Sequence, residues 1–305
     1  MKPIFHPFVW IRLLRVEQWT KNAVVLAAFL FALGDRHQDL TWRMGWKSLL
    51  AVLAFALLSS AVYIVNDWRD APRDRLHPVK RHRPIAAGLV PVPLALFVAA
   101  LLAAIALTGA WLLHPAPPLF AGVLLTYLLL QIAYTAGLKR VPLLDVILIA
   151  VGFVLRALAG AVVLDVTISP WLVLCAFFLA LFLALCKRRH EKAALAPGAT
   201  PSATRAALDG YSRHLLDHLI AVSASTVLVS YSIYTLWPDT VAKFGTPYLG
   251  LTIPFVVFGL FRYLDLVFRH EKGERPERIL LTDLPLIIDV LLFGLAALAV
   301  FFWPF

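Results

Sequence analysis

Charge is what this chain of 305 residues has least of. Asp, Glu, Lys and Arg make up 15% of it against 61% hydrophobic residues, and the mean hydropathy is +0.82. A surface that poor in charge excludes a water-soluble globular domain. Cysteine is nearly absent too: Cys175 and Cys186 lie eleven residues apart in one apolar stretch, with neither disulfide nor zinc spacing, and read as small hydrophobes. The nine histidines are scattered and form no ligand set, and no Ser-His-Asp or Cys-His arrangement appears. The segment from Met1 to Arg15 is broken by charges and lacks the pattern of a cleavable signal peptide.

What fills the chain instead is apolar runs. Crossing a hydrocarbon core of about 30 Å takes about 20 helical residues. Nine stretches approach or reach that length, at roughly 19–35, 46–66, 92–113, 117–137, 142–164, 169–187, 215–237, 248–268 and 283–304. Open sheet edges do not survive in lipid, so each is expected to be a helix. The expected fold is an all-α integral membrane protein, one polytopic domain over residues 1–305 with nine transmembrane helices. The first span is the shortest and is entered through Arg12, Arg15 and Lys21.

Basic residues set the expected topology. The N-terminal segment and the loops after the second, fourth, sixth and eighth spans hold 22 of the 28 Lys and Arg. The intervening loops hold Arg36, Arg43, Lys47 and Lys243. The positive-inside rule then places the N-terminus and the basic loops in the cytoplasm, and Trp303-Pro304-Phe305 outside. The longest polar interval, Lys187 to Arg213, has an Ala/Pro/Thr-rich centre and reads as a flexible loop. A pI near 9.9 is accounted for by this topology and by anionic phosphates at the membrane face, so nucleic acid is not an expected partner.

The most distinctive segment is Asn66 to Pro84, NDWRDAPRDRLHPVKRHRP, with three aspartates and six basic residues at the end of an apolar run. Asp67, Asp70 and Asp74 are spaced three and four apart, so a continuing helix projects all three carboxylates from one side. Such a side repels itself unless a cation sits on it. Mg²⁺ suits it, being a hard ion that prefers a few carboxylates together with substrate phosphate oxygens. A solvated, salt-bridged loop is the alternative.

Other polar groups sit near the same membrane face. Gln18, Lys21 and Asn22 in EQWTKN are an interfacial anchor or a phosphate contact. Tyr134 and Lys139 bracket the turn after the fourth span, and Asp145, three residues into an apolar helix, needs a partner. Arg156 lies about eleven residues into the fifth span, where an arginine costs about 3 kcal/mol even on the lenient insertion scale. It must face the interior, as an ion pair with Asp145 or Asp165 or as a ligand contact. Lys187 and Arg188 in KRRHE end the sixth span, as a stop-transfer cluster or a fork for diphosphate. Asp209, Tyr211 and Asp217 supply further polar groups nearby, and Arg262 with Asp265 reads as a local i, i+3 pair.

Taken together, the Asn66-Asp67-x-x-Asp70-x-x-x-Asp74 pattern on the second span resembles the first aspartate-rich motif of the UbiA prenyltransferase superfamily. RVEQWTKN, HPVKRHRP, YTAGLKRVPLLDV, GFVLRALAGA, ALCKRRHE, YSRHLLDHLIA and LLTDLP are similar to its branch that transfers phosphoribose to decaprenyl phosphate. The resemblance implies a ring of nine helices around a central cavity capped by cytoplasmic loops, in the bacterial plasma membrane. It further implies Mg²⁺ as cofactor, phosphoribosyl pyrophosphate as donor, a polyprenyl phosphate as acceptor and a product for cell-envelope arabinan or ribosyl-lipid precursors. Oligomeric state stays open, a homo-oligomer included. In the family's terms Asp67, Asp70 and Asp74 hold the metal and Asn66 orients them. Lys80 and Arg83 meet phosphate oxygens, while Gln18, Lys21, Tyr134, Lys139, Arg156, Lys187 and Arg188 match further substrate-binding positions. The second aspartate-rich motif of the aromatic prenyltransferases is absent, and KRRHE stands in its place. That departure favours a phosphorylated sugar donor over prenyl transfer to an aromatic acceptor, and the placement of polar groups almost wholly on the cytoplasmic side argues against the other rival reading, transport.

Overall fold

A computed structural model describes residues 6–35, 38, 41–113, 117–194, 206–269, 279 and 282–302. The expectations for the centre of the loop after Ala194 and for Trp303-Pro304-Phe305 lie outside the described residues. Every regular element among the described residues is helical. The α-helices are α1 (Pro7–Leu13), α2 (Ala27–Leu33), α3 (Trp42–Asp74), α4 (Val92–Leu113), α5 (Pro117–Ala136) and α6 (Leu144–Leu164). They continue with α7 (Pro170–Ala193), α8 (Arg213–Leu236), α9 (Pro238–Phe244), α10 (Ile253–Arg269) and α11 (Leu284–Phe302).

Eight helices among the described residues are long and apolar enough to cross a membrane. The first expected span takes a different form. It is a 3₁₀ segment over Val16–Leu26 running into the seven-residue α2. At about 2.0 Å rise per 3₁₀ residue and 1.5 Å per α residue the pair still reaches about 32 Å. Arg15, in the left-handed region at φ 50°, turns the chain from α1 into this segment. The extended form brings its backbone hard against α6. A Cβ added to Gly160 would lie 2.0 Å from the Val25 carbonyl oxygen, so only glycine permits this crossing.

Local sequence accounts for the helix boundaries. Pro170 and Pro238 sit in the first turns of α7 and α9, where a missing N–H costs nothing. The Ser212 hydroxyl accepts from Leu215 N at 3.0 Å and caps α8. α3, at 33 residues, is about 50 Å long at 1.5 Å per residue, well beyond the hydrocarbon core. Its excess length carries the aspartates past the apolar stretch, with Pro72 in the last turns.

Two of the four apolar clusters hold most of the buried core. Phe55, Leu58, Phe120, Leu124, Tyr127 and Ala159 fill one among α3, α4, α5, α6 and the 3₁₀ segment. Phe182, Leu185, Ile220, Val227, Leu260 and Tyr263 fill the other among α7, α8 and α10. α3 contacts α4, α5, α6 and the 3₁₀ segment, while α6 contacts α5 and α7 and so joins the halves. Phe301 of α11 lies against Gly34 at the end of α2, bringing the last helix back to the first span. Both cysteines are free and buried, as the sequence predicts.

Candidate active site

The end of α3 gathers charge from three other parts of the chain. Asp67 accepts from Arg15 Nε at 3.2 Å and is also paired through Arg15 Nη2. Arg83 reaches back from the loop after α3, its Nη1 lying 3.1 Å from Asp67 Oδ1 and 2.6 Å from Asp74 Oδ2. Asp70 is held elsewhere. Lys139, in the short 3₁₀ turn Leu138–Arg140 after α5, donates to both Asp70 oxygens at 2.7 and 2.9 Å and to Asn66 Oδ1 at 3.0 Å.

The single carboxylate side expected from the spacing is therefore two adjacent sides. At about 100° per residue, Asp67 and Asp74 lie nearly over one another, whereas Asn66 and Asp70 are turned some tens of degrees away. No group of three or more acidic, His or Cys side chains converges as a metal cage among the described residues. The donor chemistry nevertheless fits a hard divalent cation. All the oxygens are carboxylate or amide, and they already enclose cations, Arg15 and Arg83 at Asp67 and Asp74 and Lys139 at Asp70. Mg²⁺ keeps water and substrate oxygens rather than demanding an all-protein cage, so one or two of these carboxylates suffice for it.

The basic run after α3 is shaped by local contacts. His77 Nδ1 accepts from Val79 N at 3.2 Å and Lys80 N at 3.3 Å, fixing the turn that presents exposed Lys80. That role requires an unprotonated Nδ1. The His77 pKa is accordingly lowered, first by partial burial and then by Lys80, with Asp74 opposing. Arg75 Nε donates to Ala86 O at 3.3 Å and ties the same loop down.

Deeper in the bundle, Arg156 takes neither expected acidic partner. Its Nε donates to Asn22 Oδ1 at 2.9 Å, Nη1 to Gly152 O at 2.8 Å and Nη2 to Tyr127 Oη at 2.8 Å. The guanidinium also lies 4.8 Å from the Tyr127 ring centroid and 5.3 Å from that of Phe153. Neutral oxygens and aromatic faces thus hold a buried cation, using three of its five N–H groups. Asn22, one residue after Lys21, is fully buried for this purpose. Lys21, Gln18 and Tyr134 are half-buried.

Asp145 does find a partner, and it is Arg188. Arg188 Nε lies 2.8 Å from Asp145 Oδ2, and its Nη1 pairs with Glu191. Tyr211 Oη donates to Asp145 Oδ1 at 2.6 Å and accepts from Leu143 N at 2.7 Å, which steadies the positive φ of Leu143. Burial and then the bond to Asp145 push the Tyr211 phenol well above its ordinary pKa. Arg188 and Asp145 are 1% and 0% exposed, against 10% and 27% for Lys139 and Asp70. The structure thus separates Arg188 from the α3 cluster by its own saturated pairing, while Lys187 stays half-buried beside it. Arg262 makes the local bond to Asp265 at 3.0 Å and a second one, to Asp283 at 2.9 Å.

Several of these partners escape a sequence reading. Arg15 lies 52 positions from Asp67, and nothing local distinguishes it from an ordinary topological arginine. Tyr127 sits in an apolar run with no sign beyond its hydroxyl. Asn22, an amide at the start of a span, was the one visible hint of polar packing around Arg156.

Residues 23–284 match the UbiA prenyltransferase family. The chain is 37% identical over 273 residues to decaprenyl-phosphate phosphoribosyltransferase of Mycobacterium tuberculosis, covering 90% of this chain and 87% of that one. It is 35% identical over 277 residues to the protein of the same name from Corynebacterium glutamicum, covering 90% and 80%. Among solved structures it superposes on a UbiA homolog from Archaeoglobus fulgidus bound to GPP and Mg²⁺, with a TM-score of 0.72. That pair shares 19% identity over 96% of this chain and 99% of the other. The chain belongs to the UbiA prenyltransferase family.

Proposed function

We propose that this UbiA-family membrane protein is a transferase moving 5-phosphoribose from phosphoribosyl pyrophosphate to a polyprenyl phosphate, with release of diphosphate. Relatives of that name, at 35–37% identity over 90% of the chain, support the reading. The observation that carries it in the geometry is the pair of cation-filled carboxylate clusters at the end of α3. Asp67 and Asp74 are buried, but their partners Arg15 and Arg83, and Asp70 itself, are partly exposed. A phosphate-rich substrate can take Arg15, Arg83 and Lys139 from the carboxylates and meet Lys80, freeing Asp67, Asp70 and Asp74, with Asn66, to hold Mg²⁺. When bound, the metal offsets negative charge on the leaving diphosphate.

The chain's own residues then act by position and charge. The C1–O bond to diphosphate breaks with both electrons leaving on the diphosphate oxygen, and a bond from C1 to an acceptor phosphate oxygen forms on the opposite face. An α-donor thereby gives a β-linked product. Lys139 and Arg83 hold the departing oxygens in a site partly closed to water, where fixed cations are worth more than in solution. The acceptor phosphate is already an anion at neutral pH, so no strong general base is needed, in keeping with the lack of a catalytic His or Ser set. Lys21, Gln18, Tyr134 and Lys187 line the approach, and Arg156 places a fixed positive charge beneath it. The basic loops support an orientation in which this end of the bundle faces the cytoplasmic side of a bacterial plasma membrane, within reach of a soluble donor.

The test uses purified protein, radiolabelled phosphoribosyl pyrophosphate, a polyprenyl phosphate and Mg²⁺, with label sought in the organic phase. Label there that disappears with EDTA supports the reading. Label absent there, with transfer from a prenyl diphosphate to an aromatic acceptor instead, would overturn it.

A further inference from the structure

On the other flank of α3 from Asp67 and Asp74, a groove of about 260 Å³ opens between α3, α4 and α5. Its walls are apolar and its width comes from small residues, with Ala61 and Val65 on α3 facing Ala100 and Ala103 on α4 and Leu128 on α5. It is polar only at Arg69, Gln131 and Thr135. From Ala61 to Arg69 the helix rises about 12 Å, so the groove runs inward that far from the charged end of the bundle.

That charged end adjoins the cluster already described. Arg69 precedes Asp70 directly, about 100° round the helix, and Thr135 stands four residues before Lys139. Asp67, Asp70 and Asp74 are each paired with another cation, whereas Arg69 is exposed and makes no ion pair among the described residues. Its charge is available to an anionic ligand. Gln131, on the groove's inner side, is hydrogen-bonded to Tyr127, which holds Arg156, so a second cation lies one hydrogen-bond relay behind the wall. An apolar channel that starts beside a metal-competent carboxylate cluster and carries an uncompensated arginine at its mouth fits a long hydrocarbon chain with an anionic head.

We infer that this groove is the acceptor subsite, in which the first isoprene units of the polyprenyl phosphate lie between α3, α4 and α5 with their phosphate at Arg69. The inference rests on the transferase reading and adds to it where the lipid lies and which residue presents its phosphate to the donor. Arg69 is a binding residue in this arrangement, and the small side chains of α4 set the width of the channel.

Photolabelling tests occupancy without turnover. Wild-type protein in nanodiscs is irradiated with farnesyl phosphate carrying a diazirine on its tail, and the labelled peptides are mapped by mass spectrometry. The expected label falls on α3, α4 and α5 at the groove and is displaced by excess unmodified polyprenyl phosphate. Ala100→Trp, an exposed lining position that the fold tolerates, removes most of the label. In the transfer assay Ala100→Trp and Arg69→Glu each raise KM for the polyprenyl phosphate about tenfold or more, as loss of one charged hydrogen bond or its apolar seat implies, and leave KM for phosphoribosyl pyrophosphate unchanged. Label elsewhere in the bundle overturns the inference, as does groove label displaced by phosphatidylglycerol and not by polyprenyl phosphate. So does a wild-type acceptor KM in Ala100→Trp. Groove labelling in a protein that transfers no phosphoribose overturns the reaction reading instead and leaves the lipid site standing.

Discussion

Two sets of ion pairs within one bundle behave oppositely. The Asp145–Arg188 pair between α6 and α7 is sealed, with both side chains essentially unexposed and the Tyr211 hydroxyl donating to Asp145. The α3 clusters are partly open: Asp70 is 27% exposed and Arg83 26%. Both sets join acid to base at ordinary distances, so distance does not tell them apart. Exposure does. A sealed pair cannot trade its partner for a substrate without leaving a buried charge alone, whereas a partly open pair can exchange a carboxylate for a phosphate at little cost. The first set holds helices together, and the second is suited to binding.

Breaking the sealed pair gives the largest expected effect. Arg188→Ala leaves Asp145 buried and unpaired and is expected to destabilise the bundle by about 3–5 kcal/mol, read as a large drop in the thermal midpoint in detergent. A midpoint close to wild type would erase the distinction drawn here. The counterpart is Asp70→Asn. Its expected signature is turnover lower by about 10²–10³-fold, as for removal of one preorganised electrostatic contact, with an unchanged melting profile. An inactive variant that also melts early would move Asp70 into the structural class.

Smaller effects sharpen the comparison further. Gly160→Ala drives a methyl into the Val25 carbonyl, and overpacking of that kind costs about 1–3 kcal/mol. It is expected to lower the thermal midpoint and to disturb Arg156 through Asn22, which lies on the displaced segment. The smallest effect concerns pH. Because the folded state holds the His77 pKa below its ordinary value of 6.5, the folded turn binds fewer protons than the unfolded chain as pH falls. The turn's contribution is complete above about 6.5 and is lost as pH drops through the lowered folded value. Hydrogen exchange at the Val79 and Lys80 amides should quicken over that range, and a Lys80 amide as well protected in acid as at neutral pH would remove His77 from this role.

Much of this arrangement is legible from the sequence. The apolar runs, the length of α3 and the position of its aspartates follow from composition and spacing. So does the need of Asp145 and Arg156 for partners. What the residues do not carry is the identity of those partners. Arg156 settles on Asn22 and Tyr127 in place of an acid, and Asp145 takes Arg188, which resembles any stop-transfer arginine until the helices pack. The first span also departs from expectation, since a 3₁₀ rise lets eleven residues cover the distance of a longer α-helix.

The sequence by itself determined that this chain lives in a membrane and that its three closely spaced aspartates sit at one end of α3. Hydrophobicity adds up locally, and carboxylates three and four apart fall within a limited arc of a helix, here on two adjacent sides. Only the tertiary structure decided which cations close on those carboxylates and which ion pairs are sealed. Those choices depend on how α3 packs against α5, on the turn that returns Arg83 and on the glycine that lets the first span approach α6. Pairing in a low-dielectric interior is set by which helices touch, and the linear order of residues leaves that open.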